Sequence, residues 1–150
     1  RAGFGPFLDE AGKRGADIVL LSSGFHELIE PLLERDGLHG RVPLVANRIS
    51  FETGAGVITW RELPDCGRCG EACKRADVEQ LRASTATAAE VVFVGDGFSD
   101  RCGAEAADRI FARDALATWL DASGVRYEHW EDFEDVARAL WQDRVAGVDA

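Results

Sequence analysis

The sequence contains no methionine, one tyrosine and four prolines in 150 residues. Without methionine, and with Arg-Ala-Gly-Phe-Gly at its head that reads neither as a signal peptide nor as a tag, the chain is expected to continue upstream of Arg1. It also lacks a basic run: 17 Lys and Arg against 27 Asp and Glu give a net charge of -10. That balance argues against a nucleic-acid partner held through its phosphates, and equally against an anionic membrane surface. The longest apolar stretches, residues 18–21 and 91–94, have four members, against the roughly 20 of a membrane span. There is no repeat, no low-complexity tract and no charge block long enough for a linker. What remains, with 46% hydrophobic and 29% charged residues, reads as one soluble globular domain over residues 1–150.

Of the four cysteines, Cys66, Cys69 and Cys73 crowd into eight residues while Cys102 lies far along the chain. Disulfide frameworks of secreted domains spread their bridges through smaller, loop-rich chains, so reduced thiols and a cytoplasmic location are expected. The spacing also suits a thiolate metal site with His39, His26 or Cys102 as a remote fourth ligand. A full site normally shows two Cys pairs and only one is visible, so unligated thiols are the expected state.

Elements of two kinds alternate along the chain. Phe4, Phe7, Leu8 and Ala11 sit at helical spacing, and residues 17–21 read as a short strand buried on both faces. A second helical stripe, Phe25, Leu28, Ile29, Leu32 and Leu33, occupies residues 24–35. A strand follows at 42–46, and residues 48–51 with 56–60 form a hairpin. Residues 62–73 are loop, 74–83 helix, and 91–94 the strongest strand. Helices are expected at 104–108, 114–122 and 133–146, separated by apolar pieces at 109–112 and 125–129. This alternation predicts an α/β fold, a mostly parallel sheet covered by helices. Trp119, Trp130, Phe133 and Trp141 are expected in the core, and His129 at the surface or in packing.

Three places carry chemistry. Val91-Val-Phe-Val-Gly-Asp-Gly-Phe-Ser-Asp100 is a buried strand ending in a glycine-flanked turn that presents Asp96 and Asp100, where ligands of open α/β sheets bind. Hard carboxylate oxygens suit Mg²⁺ together with phosphate oxygens and water; the plainer reading makes Asp96 an Asx turn and Asp100 a helix cap. Ser22 and Ser23, at the end of another strand, can meet a phosphate at a helix N-terminus or simply cap that helix. Lys74 opens a helix after the cysteine loop and offers a point charge to a phosphoryl group, or is merely solvated.

In this order the three places resemble the haloacid dehalogenase superfamily of phosphohydrolases: Ser22 with Gly24 its second motif, Lys74 its third, Gly95-Asp96-Gly97-Phe98-Ser99-Asp100 its fourth. Ser-Ser-Gly-Phe before an apolar helix and Ala46-Asn47-Arg48 before a hairpin are similar to the phosphoserine-phosphatase-like branch. Residues 69–74, Phe111-Ala-Arg-Asp-Ala-Leu116 and Trp130-Glu-Asp-Phe133 resemble its methionine-salvage group. Ser99 stands where phosphoserine phosphatases commonly have Asn, a departure that weakens phosphoserine as the substrate.

The resemblance implies a Rossmann-like, doubly wound core with helices on both faces and a Mg²⁺-dependent phosphomonoesterase acting on a small phosphorylated metabolite through an aspartyl phosphate. It further implies that Asp96 and Asp100 serve the metal, with Asp100 orienting a metal-bound water or the metal-facing loop. Ser22, Ser23, Gly24, Lys74 and Ser99 serve the phosphate. The family's first motif, Asp-x-Asp, supplies the nucleophile, and no two aspartates here are two residues apart. The central first strand and the helical cap are therefore expected to lie outside this sequence, which alone is expected to be inactive and unstable. Two other functions compete: a catalytically silent phosphate-binding or regulatory module, and a cysteine-dependent metal-binding module.

Overall fold

The stripe Phe4, Phe7, Leu8 and Ala11 becomes the apolar face of α1 (Phe4–Lys13), with Phe7, Leu8 and Ala11 buried. The structure, a computed structural model, describes residues 2–51, 54–70, 73–84 and 89–142. Contacts divide the chain into two compact units, Arg1–Glu62 and Leu63–Ala150.

In the first unit, α1 is followed by β1 (Leu20–Phe25), α2 (His26–Arg35), β2 (Leu44–Ser50) and β3 (Val57–Thr59). The sheet order is β1-β2-β3, parallel between β1 and β2 and antiparallel between β2 and β3. The strand expected at 17–21 starts and ends later, at Leu20 and Phe25, so the two serines lie within it. The strand expected at 42–46 and the first arm of the hairpin are one continuous strand, β2. Its second half pairs Arg48 with Thr59 and Ser50 with Val57; hairpin residues 52 and 53 lie outside the described residues. A small core of Leu8, Leu33, Leu38 and Val42, flanked by Phe4, Ile18, Leu20, Ile29 and Leu44, sets α1 and α2 against the parallel strands.

The second unit holds α3 (Lys74–Ser84), β4 (Val92–Gly95), a 3₁₀ turn (Phe98–Asp100), α4 (Arg101–Ala104), β5 (Arg109–Ala112), α5 (Asp114–Ser123), β6 (Glu128–His129) and α6 (Phe133–Trp141). Its sheet, β4-β5-β6, is parallel throughout. Phe111, Leu116, Leu120 and Val136 are fully enclosed, each worth about 1.5–3 kcal/mol of burial. The helix expected at 104–108 is displaced to 101–104. The Asp100 carboxylate accepts the Asp96 and Gly97 N–H groups and turns the chain into helix at once. The N–H groups of Ala106 and Ala107 then fall back on Gly103 and Ala104, and Asp108 returns its N–H to Val91. The helix expected over 133–146 is α6, whose last expected residues, 143–146, lie outside the described residues. Of the four aromatics expected in the core, Trp130 is buried and Trp119, Phe133 and Trp141 are half-buried; His129 is exposed.

The fold is α/β, with parallel strands alternating with helices in the Rossmann-like manner expected. Among the described residues its strands form two three-stranded sheets, and β1 and β4 are edge strands of their respective sheets. No helix among the described residues is long and apolar enough to cross a membrane.

Candidate active site

In the second unit the chemistry gathers where β4 ends. Gly95 closes the strand, and a Cβ there would stand 2.9 Å from Asp100 Oδ2, 2.9 Å from the Phe93 ring and 3.0 Å from Leu116. No side chain fits, so the backbone passes close under the Asp100 carboxylate. The Gly95 carbonyl accepts the Trp130 indole N–H at 3.1 Å and the Arg113 N–H at 3.3 Å. The Asp96 carbonyl accepts the Leu116 N–H from the first turn of α5. The backbone of the turn is therefore held by Trp130, just after β6, and by the start of α5, and the half-buried Asp96 side chain stands on a fixed base. Asp114, opening α5 beside this turn, has a φ of 49° and is the only non-glycine with positive φ among the described residues. Such strain at a strand end persists where the surroundings enforce it.

Asp100 is 4% exposed and its two carboxylate oxygens have different partners. Oδ2 accepts the N–H groups of Asp96 (3.1 Å) and Gly97 (2.8 Å). Oδ1 lies 2.5 Å from Lys74 Nζ, and both side chains are nearly enclosed, at 11% and 6% exposure. Lys74 is therefore neither a solvated helix start nor a loose charge: a buried carboxylate 26 residues away fixes its ammonium. Asp100 does not cap α4 with its side chain; it closes the turn and holds the lysine. Removing either member of such a pair leaves an uncompensated buried charge, a loss of about 3–5 kcal/mol. Ser99 is exposed on the 3₁₀ turn beside Phe98, whose ring carries the Arg101 guanidinium at 3.8 Å.

In the first unit, Ser22, Ser23 and Gly24 form a bulge. Leu21 pairs with Val45 and Phe25 with Asn47, so four steps along β1 oppose two along β2. Bulges of this kind re-aim side chains at strand ends. Ser22 Oγ accepts the Gly24 N–H at 3.1 Å, which keeps its own proton for a further acceptor. The N-cap position of α2 belongs to Phe25 without a side-chain cap bond, so neither serine is the helix cap. The buried Asn47 supports the bulge, donating to the Ser23 carbonyl at 3.0 Å and accepting the Arg61 N–H at 3.0 Å. Asn47 and Trp130 stand in segments already singled out in the sequence, Ala46-Asn47-Arg48 and Trp130-Glu-Asp-Phe133, but neither segment reveals the distant backbone that its polar atom holds.

The cysteines come together. Sγ atoms of Cys66, Cys69, Cys73 and Cys102 all lie within 4.8 Å of one another, and none of the four is joined in a disulfide. The fourth member is Cys102, whereas His26 has Glu30 at 2.8 Å. Backbone N–H groups of Cys69 and Arg68 point at Cys66 and lower its thiol to about 6. Burial pushes Cys73 up to about 12 and raises Cys102. A cleft of about 290 Å³ beside this loop is lined by Pro64, Cys66, Arg68, Arg75 and Glu79; neither Lys74 nor Asp96 belongs to its lining.

The sequence resembles known proteins over nearly its whole length. It is 29% identical over 143 residues to a 2-hydroxy-3-keto-5-methylthiopentenyl-1-phosphate phosphatase of an Exiguobacterium species, covering 91% of this chain and 62% of that protein. A phosphatase of the same name from Brevibacillus brevis is 28% identical, with 95% and 63% covered. A bifunctional enzyme MtnB/MtnX of Bacillus licheniformis is 29% identical, with 93% and 32% covered. This chain thus spans less than two thirds of the length of these relatives. Residues 1–105, which hold Ser22, Lys74, Asp96 and Asp100, match the family described as haloacid dehalogenase-like hydrolase, and the chain belongs to that family.

Proposed function

We propose that the protein is a phosphomonoesterase for a small phosphorylated metabolite, of the keto-methylthiopentenyl phosphate type named for its relatives. The observation that carries this reading is the Lys74–Asp100 pair beneath the Gly95-Asp96-Gly97 turn. It is an enclosed, oriented ammonium next to a carboxylate at the carboxyl end of a parallel strand. Asp100 does not hand its charge to solvent; it spends one oxygen on Lys74 and the other on two N–H groups. Asp100 in this reading shapes the metal-facing loop, and Lys74 holds a phosphoryl oxygen in place.

The donor set suits Mg²⁺: a half-buried Asp96 carboxylate of hard oxygens on a turn whose backbone is held by Trp130 and Leu116, to be completed by phosphate oxygens and water. When bound there, Mg²⁺ neutralises charge on the phosphoryl oxygens. Asp96 is assigned as its direct ligand, with Asp100 beside it. In the first unit, Ser22 offers its hydroxyl proton to a phosphoryl oxygen, Gly24 keeps the bulge tight, and Ser23 and the exposed Ser99 are further phosphate contacts.

Phosphoryl transfer needs placement and electrostatic stabilisation above all, and these residues supply both. They do not supply a nucleophile. The proposed route is in-line attack by the first aspartate of an Asp-x-Asp segment on phosphorus. The ester P–O bond breaks, the leaving alcohol takes a proton from the second aspartate, and water then hydrolyses the aspartyl phosphate. Since no Asp-x-Asp occurs in these 150 residues, activity is proposed for the protein that carries one. Cysteines outside any disulfide suit a reducing compartment, and we place the protein in the cytoplasm.

Lys74→Ala tests the reading. In protein that includes the Asp-x-Asp segment, kcat/KM for phosphate-ester hydrolysis should fall by about 10²–10³, the loss that follows from removing one transition-state charge contact, and inhibition by inorganic phosphate should weaken. Undiminished turnover in a folded Lys74→Ala protein would exclude Lys74 from the phosphoryl site.

A further inference from the structure

We propose that Cys66, Cys69, Cys73 and Cys102 hold one Zn²⁺ ion in a closed structural site. Four sulfurs within 4.8 Å of one another already surround a single point. Tetrahedral zinc with Zn–S near 2.3 Å sets its sulfurs about 3.8 Å apart, so no edge of the quartet needs to shorten by more than about 1 Å. Soft thiolate donors in a tetrahedral set select zinc over hard cations, and four sulfurs fill that set without an open position for catalysis.

The loop itself has the shape such a site requires. Cys66 and Cys69 bracket a turn closed by the Gly70 N–H on the Cys66 carbonyl at 2.8 Å. Gly70 has a φ of 70°, a conformation that glycine adopts without strain. The turn aims the Arg68 and Cys69 N–H groups at the Cys66 sulfur, the second-shell support that a thiolate ligand receives. Cys66 and Cys102 are buried. The charge is also answered: binding Zn²⁺ to four thiols releases four protons to solvent and leaves a tetrathiolate of net charge -2. Arg75 is near enough to Cys66 to feel its charge, and Arg68 belongs to the turn.

The ion would tie two distant segments at the points that matter. Cys73 immediately precedes Lys74, and Cys102 follows Asp100 by two residues, so the clamp joins the chain on both sides of the ion pair. This inference does not rest on the phosphatase reading.

The test begins with the unaltered protein, purified without chelator. Elemental analysis should find one zinc per chain, and titration with a mercurial should release it in step with four thiols. Replacement by Co²⁺ should give the sulfur-to-metal charge-transfer and intense d–d absorption of a tetrahedral tetrathiolate. Cys69→Ser and Cys102→Ser, on opposite segments, should each lower zinc content by at least tenfold after dialysis. Protein free of zinc whose four thiols react at once, a disulfide within the quartet, or an iron centre in place of zinc would overturn the proposal. So would Co²⁺ spectra with fewer than four sulfur donors, an arm that does not depend on the variants folding.

Discussion

Close approach between single residues, more than chain conformation, decides what can change around Lys74. Gly103 in α4 shows this. A Cβ there would lie 2.9 Å from the Phe93 ring and 3.0 Å from the Lys74 Cβ. In an open helix Gly→Ala gains about 0.5–1 kcal/mol, whereas overpacking a filled core costs about 1–3 kcal/mol. The steric term wins, so Gly103→Ala should lower Tm, by about 2–4 °C for each kcal/mol lost in a chain of this size. It should also lower turnover by moving Lys74. A Tm equal to or above the parent's in thermal denaturation would show that the contact relaxes freely. The pair that Gly103 admits, Lys74 with Asp100, was not legible in the sequence. Each residue could be recognised as polar at an element end, yet neither reveals a partner 26 positions away. Asp96 was legible, because Val91-Val-Phe-Val running into Gly-Asp-Gly fixes both the strand and the turn it feeds.

At the scale of elements, carboxylates staple strands and helices together. Asp108, after α4, accepts the Val91 N–H at 2.8 Å where β4 begins and the Arg82 guanidinium of α3 at 3.0 Å. The Val91 N–H first, and then Arg82, lower its pKa below the usual carboxylate value. Asp135 is likewise lowered, chiefly by the Glu131 N–H, at the capping box that starts α6. A carboxyl whose folded pKa is depressed contributes stability that is present above its unfolded value, about 4. That stability is lost as pH falls through the lower folded value. Stability should therefore drop on acidification below about pH 4, and Asp108→Asn should flatten part of that slope. The effect is modest, because the Asp108 side chain is 44% exposed and solvent screens it. Denaturant unfolding at a series of acidic pH values gives the answer; identical slopes in parent and variant would remove Asp108 from the acid response. Element types were read well from periodicity, while boundaries slipped wherever a hydrogen bond to a distant atom intervened. Ser22 and Ser23 were placed at a helix start because strand and helix patterns abut there. The bulge against Leu44–Ser50 carries the strand on to Phe25, and only the partner strand could show it. The helix expected at 104–108 was displaced by the Asp100 side-chain bonds for the same kind of reason.

For the whole molecule, the α/β class followed from the alternation of patterns, while the pairing of β1 with β2 and of β4 with β5 did not. A linear pattern says which segments are strands and leaves their pairing open. The cysteines show the same limit, since Cys102 joins the loop of Cys66, Cys69 and Cys73 only through the folding of 28 intervening residues. Of the candidate site, the Lys74, Asp96 and Asp100 positions were visible from motif order. The contacts that hold them, the Trp130 indole on the Gly95 carbonyl and the Asp100 carboxylate on Lys74 Nζ, were not. In the proposed function this family member works on phosphate esters with Asp96 at the metal. The most direct measurement is phosphate release from a small phosphate monoester, with and without Mg²⁺, by parent and Asp96→Asn proteins that both carry the Asp-x-Asp segment. Mg²⁺-dependent release is expected from the parent and, in a variant of unchanged circular dichroism, a loss of at least about 10²-fold, the scale of a removed electrostatic contact. Equal release by the two proteins, or release by the parent that is indifferent to Mg²⁺, would contradict that reading.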